Sequence, residues 1–233
     1  MSLDTAEIME ISFNILYIVS IYILVILMFL RRKNVEQSNR KQANRILIAF
    51  FLLALGDTGH VGFRVIAYAL GGLEANALLV GLGALSTSIT VGIFYMIILD
   101  LWRVQFKKPV NVVYIILFIS GLVRLGLFFF PQNAWGSTVP PADWGLYRNI
   151  PLIVLGIGVA ILLLIDSIKT KNKTYRNIAL WIFVSYAFYI PVILFVRLVP
   201  MIGMLMIPKT VAYVVIAIIG FKSYFPKNPR SNT

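Results

Sequence analysis

Apolar positions in this chain come in long unbroken runs, not in the alternation of strands or the single stripe of a soluble helix. A helix that crosses a bilayer needs about 20 mostly apolar residues. Seven runs meet that length, at roughly 11–30, 46–70, 76–101, 110–130, 149–168, 177–199 and 201–221. The breaks between them carry turn or charge signals: Arg31-Arg32-Lys33, Gly71-Gly72, Lys107-Lys108-Pro109, Pro131 with Pro140-Pro141, Lys169 to Arg176, and Pro200. The pattern predicts an all-α fold, one domain over residues 1–233 with seven transmembrane helices. The last break is so short that the sixth and seventh helices should form a tight antiparallel hairpin. Pro191 and Pro208, inside those two helices, predict kinks and freed carbonyls.

Composition narrows the class. With 60% apolar and 13% charged residues and a mean hydropathy of +0.88, the chain is neither a soluble globule nor a disordered segment. It has no cysteine, which excludes disulfides, thiolate metal sites and thiol catalysis. Its one histidine, His60, excludes an intramembrane metal site built on two or three imidazoles. The first apolar run is preceded by Asp4, Glu7 and Glu10 and by no Lys or Arg, so it reads as a span and not as a secretory signal.

Charge then orients the spans. Of the 21 Lys and Arg residues, 16 fall in the segments after the first, third, fifth and seventh runs. Basic residues gather on the cytoplasmic side of short loops. The chain is therefore expected in the cell membrane as a multi-pass protein, N-terminus outside and C-terminus in the cytoplasm. The net charge of +12 reports this topology, and no nucleic-acid partner is expected. The basic inner loops are the place for a cytoplasmic protein partner. Asp100 and Asp166, near Arg103 and Lys169, read as interfacial ion pairs at that end.

The five remaining cations are Arg64, Arg124, Arg148, Arg197 and Lys209, all in the outer half. At about 1.5 Å per residue, Arg64, Arg124 and Lys209 lie roughly 9–12 Å below the outer surface. A charge at that depth costs a few kcal/mol and usually faces the bundle interior or a wet cavity. Asp57 is the one acid deep in a helix of that half. The uncancelled positive charge calls for an anionic ligand: a carboxylate, a phosphate or a lipid headgroup.

The densest polar segment is Gly56-Asp57-Thr58-Gly59-His60-Val61-Gly62-Phe63-Arg64. Asp57, His60 and Arg64 are spaced i, i+3, i+7 and share one helix face, which Tyr68 extends. In one reading, Asp57 fixes the tautomer of His60 for proton transfer while Arg64 holds an anionic group. In another, the three form a structural ladder into the bundle. Ser86, Thr87, Ser88 and Thr90 of the third helix are expected to bond back to their own backbone or to a neighbouring helix. Tyr186 and Tyr189 in the sixth helix serve either packing or a ligand box. Trp135 and Trp144 in the long outer loop read as interface anchors or a lid.

Two family resemblances bear on these residues. Leu55-Gly56-Asp57 followed by Arg64 resembles the Gly-Asp helix of the lysoplasmalogenase-like membrane hydrolases. That likeness covers about ten residues and implies a catalytic role for Asp57, with His60. The family's second aspartate, in a Ser-Asp context, has no counterpart here. Seven helices with Trp181, Tyr186, Tyr189 and Pro191 in the sixth and Lys209 in the seventh are similar in layout to the retinal-binding rhodopsins. That likeness implies a Schiff base on Lys209 and Asp57 as counterion; the third helix lacks the acid and tryptophan that the family places at the chromophore. The residues themselves call for no cofactor. They favour binding of an anionic amphiphile or small anion in an outer-facing intramembrane pocket, with Arg64, Arg124, Lys209, Tyr68, Tyr186 and Tyr189 as ligand-binding candidates. Chemistry, if any, would fall to Asp57 and His60.

Overall fold

A computed structural model describes residues 5–227, with side chains from residue 11 onward. The leading acids Asp4, Glu7 and Glu10, and Arg230 of the tail, lie outside the described side chains. Among the described residues all regular structure is helical: α1 (Thr5–Arg31), α2 (Arg40–Ala69), α3 (Ala77–Gln105), α4 (Val112–Leu127), α5 (Ala142–Lys169), α6 (Lys173–Phe195) and α7 (Met206–Tyr224). Six helical segments are long and apolar enough to cross a membrane, which fits a multi-pass membrane protein. Large apolar side chains face outward along the bundle, among them Leu16, Phe29, Ile116 and Leu198.

α4 departs from the expected 110–130 span. It has 16 residues and is the one apolar helix below spanning length among those described. Its ends explain this. Asn111 caps the start by accepting from Tyr114 N at 2.9 Å. At the other end the buried Asn133 donates through Nδ2 to Leu127 O at 2.7 Å and Phe130 O at 2.9 Å. The first bond satisfies the last carbonyl of the helix, and the second fixes the turn that follows it. α2 and α5 instead begin earlier than expected, at Arg40 and Ala142, so polar turns are added to their apolar runs. Arg148 therefore sits in the second turn of α5 and does not open it.

The hairpin of α6 and α7 is joined through a 3-10 segment, Pro200–Leu205. Lys209 consequently stands in the first turn of α7, not eight residues into it. Pro208 falls in that same turn, where a helix needs little from its N–H groups, so the kink expected at Pro208 has no cause. Pro191 lies within α6. Asn172, part of an Asn-Lys-Thr triplet, has a helix-capping role and accepts from Tyr175 N at 3.2 Å.

The helices close into a ring. α3 packs on α2, α4 and α5, and α7 packs on α6, α1 and α2. In lipid, helices associate mainly through close van der Waals fit, so small residues mark the tightest seams. The α2–α3 seam is built that way. A Cβ on Gly56 would overlap the Thr90 side chain, and one on Gly83 would sit 3.1 Å from the Cα of His60. The turn between the two helices needs Gly71 and Gly72, with φ of +106° and +109°.

One end of the bundle collects the basic loops and is tied by polar contacts. Gln42 of α2 donates to Gln105 of α3 at 3.3 Å, and Tyr175 of α6 bonds Tyr224 of α7 at 2.6 Å. Asp100 and Asp166 are at this end; Asp100 keeps its expected partner and Asp166 does not. Asp100 takes Arg45 at 2.5 Å as well as Arg103 at 2.7 Å. Asp166 pairs with Lys108 at 2.9 Å and accepts from the Trp102 indole at 2.9 Å, not from Lys169. Lys169, three residues along the helix, is exposed, whereas Lys108 comes from the loop that lies against Asp166.

Candidate functional site

Three helices meet at Asp57. Its carboxylate accepts from the Tyr17 hydroxyl of α1 at 2.7 Å and from Thr87 Oγ1 of α3 at 2.5 Å. This replaces the expected Asp57–His60 contact: both carboxylate oxygens are engaged by hydroxyls from neighbouring helices. The His60 backbone lies against Gly83 in the α2–α3 seam, and the His60 Nδ1 is buried without a hydrogen-bond partner among the described residues. Asp57, Arg64 and Lys209 are all within electrostatic reach of it. The helix-3 hydroxyls divide between their two expected roles. Thr90 does bond back, to Ser86 O and Thr87 O at 3.2 Å each, but Thr87 reaches across to Asp57.

A second cluster joins α4 to α7. Arg124, in the last turn of α4, is only 2% exposed. Its Nη1 donates to the backbone oxygen of Arg148 and to Asn149 Oδ1, the latter at 3.2 Å. Asn149 Oδ1 also accepts from Tyr189 at 2.9 Å. The Tyr189 ring carries Lys209 Nζ on its face, 4.2 Å from the centroid, with Tyr213 second at 5.7 Å. These cation–π contacts give an ammonium a partner where water is scarce. Tyr186 lies one turn deeper, buried, and donates to Leu152 O at 2.8 Å. Lys209 is within electrostatic reach of both Asp57 and Arg124, so the two clusters share one field.

Beside them opens a cavity of about 390 Å³ between the C-terminal end of α2 and the N-terminal ends of α3 and α5. Arg64 and Arg148 stand on its wall with Glu74, and the loop residue Trp135 covers one side. Arg148 is held in place: its guanidinium lies 4.6 Å from the Trp135 ring centroid, and its Nη1 donates to Asn133 Oδ1 at 3.2 Å. Arg197 closes the same rim by donating to the Pro140 carbonyl oxygen. The rest of the wall is largely small and apolar, from Ala77, Val80 and Ala84. Trp144 packs away from it, on Phe130 and Tyr147.

Of the three deep cations, Arg64 alone lines this cavity. Arg124 and Lys209 lie outside its wall, on the aromatic ladder, and half-buried Tyr68 stands one turn beyond Arg64. Tyr17, Asn133, Asn149 and Arg148 complete the arrangement. Asn149 carried a signal in the sequence, as an amide at the start of an apolar run beside an arginine. Tyr17 carried none, since one tyrosine in an apolar helix looks like any other. No group of three His, Asp or Glu side chains that could hold a metal ion occurs among the described residues. No protein-family model, curated protein or solved structure matches this chain.

Proposed function

We propose that the protein is a multi-pass protein of the cell membrane that holds an anionic amphiphile or small anion in an outer-facing intramembrane pocket. The observation that carries this reading is the cavity with Arg64 and Arg148 on its wall, against the single acid Glu74. Guanidinium groups bind carboxylate or phosphate in a planar, two-pronged way. The apolar remainder of the wall suits a hydrocarbon tail, and Trp135 fixes one arginine in position. Arg124 and Lys209 add positive potential from below, and Asp57 offsets part of it.

Native mass spectrometry with lipid analysis tests the ligand. The gently purified protein is expected to carry an anionic lipid or acid that an Arg64→Ala, Arg148→Ala variant loses. Two charge-assisted contacts correspond to at least about a hundredfold in affinity. An equal load on both proteins, or no anion on either, defeats the reading.

The same proposal puts the N-terminus outside and the C-terminus in the cytoplasm, on the strength of the basic end described above. The absence of cysteine makes this simple to check. A cysteine placed at Ser137 is expected to react with an impermeant maleimide on intact cells. One placed at Ser38 is expected to react only after permeabilisation. The reverse pattern inverts the topology and the cavity with it.

A further inference from the structure

The basic end holds a second cavity, of about 430 Å³, at the junction of α1 and α2. Its cationic wall is Arg32, Lys33 and Arg40, and its apolar wall includes Phe29, Leu30 and Val35. No acid lines it. The ion pairs at this end use Arg45, Arg103 and Lys108, so none of the three lining cations is in an ion pair among the described residues.

This junction is a built structure. Two short 3-10 turns, Arg32–Asn34 and Gln37–Asn39, reverse the chain, and Val35 between them is buried. Asn34 Nδ2 donates to Lys227 O at 2.8 Å, which ties the turn to the segment after α7. Arg32 Nε donates to Asn44 Oδ1 at 2.9 Å. That bond fixes the guanidinium plane and leaves the two Nη groups for another acceptor. Arg31 points elsewhere, over the Phe221 ring at 4.9 Å. Three cations are thus gathered on one rim of the cavity while Phe29 and Leu30, each over 60% exposed, continue the wall down the lipid-facing side of α1.

A cationic rim above an exposed apolar strip has the polarity of one lipid molecule. We propose that this cavity binds the phosphate-bearing headgroup of an anionic phospholipid of the adjoining leaflet, with an acyl chain along Phe29 and Leu30. The site is independent of the outer pocket and lies at the opposite end of the bundle. Basic pockets at the cytoplasmic ends of membrane helices bind such headgroups by charge. Phosphate is the shared chemistry of a lipid headgroup and a soluble phosphate, and the apolar strip favours the lipid.

The test uses the full-length protein in nanodiscs of phosphatidylcholine containing a minor fraction of phosphatidylglycerol, with native mass spectrometry of the lipids retained on ejection. The wild type is expected to retain phosphatidylglycerol over phosphatidylcholine. Each near-surface cation contributes on the order of fivefold, so Arg32→Gln, Lys33→Gln, Arg40→Gln is expected to weaken that retention roughly a hundredfold. Arg64→Ala, Arg148→Ala is expected to leave this site's retention unchanged, which separates it from the outer pocket. Single Gln variants, each expected to lower retention about fivefold, guard against failure of the triple variant to fold. Inorganic phosphate at millimolar concentration should not displace the lipid. Displacement would assign the site to a soluble phosphate compound and overturn the lipid assignment. Equal retention of both lipids, or retention insensitive to the three substitutions, overturns the proposal altogether.

Discussion

Gly156→Ala is expected to destabilise the bundle by about 3 kcal/mol, measured as a lower unfolding midpoint in detergent. A Cβ at this position in α5 would overlap the hydroxyl and ring carbons of Tyr186. Tyr186 has no room to yield. It is buried, donates to Leu152 O at 2.8 Å, and packs against Tyr95 at 5.5 Å and Tyr189 at 6.2 Å between ring centroids. The strain would pass through Tyr189 to Lys209 and Asn149, so the cluster around Arg124 should loosen together with α6. Gly62→Ala is the matched control. Nothing lies within 4 Å of a Cβ there, and alanine gains helix propensity over glycine by up to about 1 kcal/mol. It should be neutral or stabilising. Equal losses for the two variants would mean that the α5–α6 seam is not as tight as described.

Asp57→Ala is expected to cost about 2 kcal/mol, chiefly by orphaning one hydroxyl. Tyr17 is 6% exposed and would lose the acceptor it reaches at 2.7 Å. A buried donor left without a partner costs about 1–3 kcal/mol. Thr87 suffers less, because a helical threonine can turn its hydroxyl back to its own backbone. Asp57→Asn keeps one acceptor oxygen and should cost no more than about 1 kcal/mol. Tyr17→Phe in the Asp57→Ala background should add little, since the bond is already gone. Additive losses would show that Asp57 stabilises the bundle through its charge near Lys209 and His60, and not by joining α1 to α3.

These two sites mark how far the sequence could be read. The helices and their order follow from apolar runs interrupted by charges and prolines, and those signals are local. Helix ends are less legible, because they depend on distant partners. α4 ends where Asn133, six residues on, supplies a donor to its last carbonyl. The first turn of α7 is set by a 3-10 segment that apolar residues alone do not announce. The same limit applies to pairings. The i, i+3, i+7 spacing puts Asp57, His60 and Arg64 on one face, but it cannot say that Tyr17 and Thr87 will claim the carboxylate first. Nor can spacing say that Lys108, not Lys169, will reach Asp166. Which cation meets which acid is decided by how helices rotate against one another, and that information is spread over the packing of the whole ring.

The length of α4 has a consequence for the surrounding lipid. Sixteen residues rise only about 24 Å, against a hydrocarbon layer of about 30 Å. A bilayer meeting such a short wall thins locally or tilts the helix, at a fraction of a kcal/mol for each ångström of mismatch. Phe129 and Phe130, exposed just past the helix, are the groups that would meet the lowered headgroups. Around this side of the bundle the leaflet at the C-terminal end of α4 would dip toward the level of Arg124, so the membrane itself would form a shallow funnel. Residence should accordingly be favoured in thin bilayers of short acyl chains, and thick, sterol-rich ones should disfavour it.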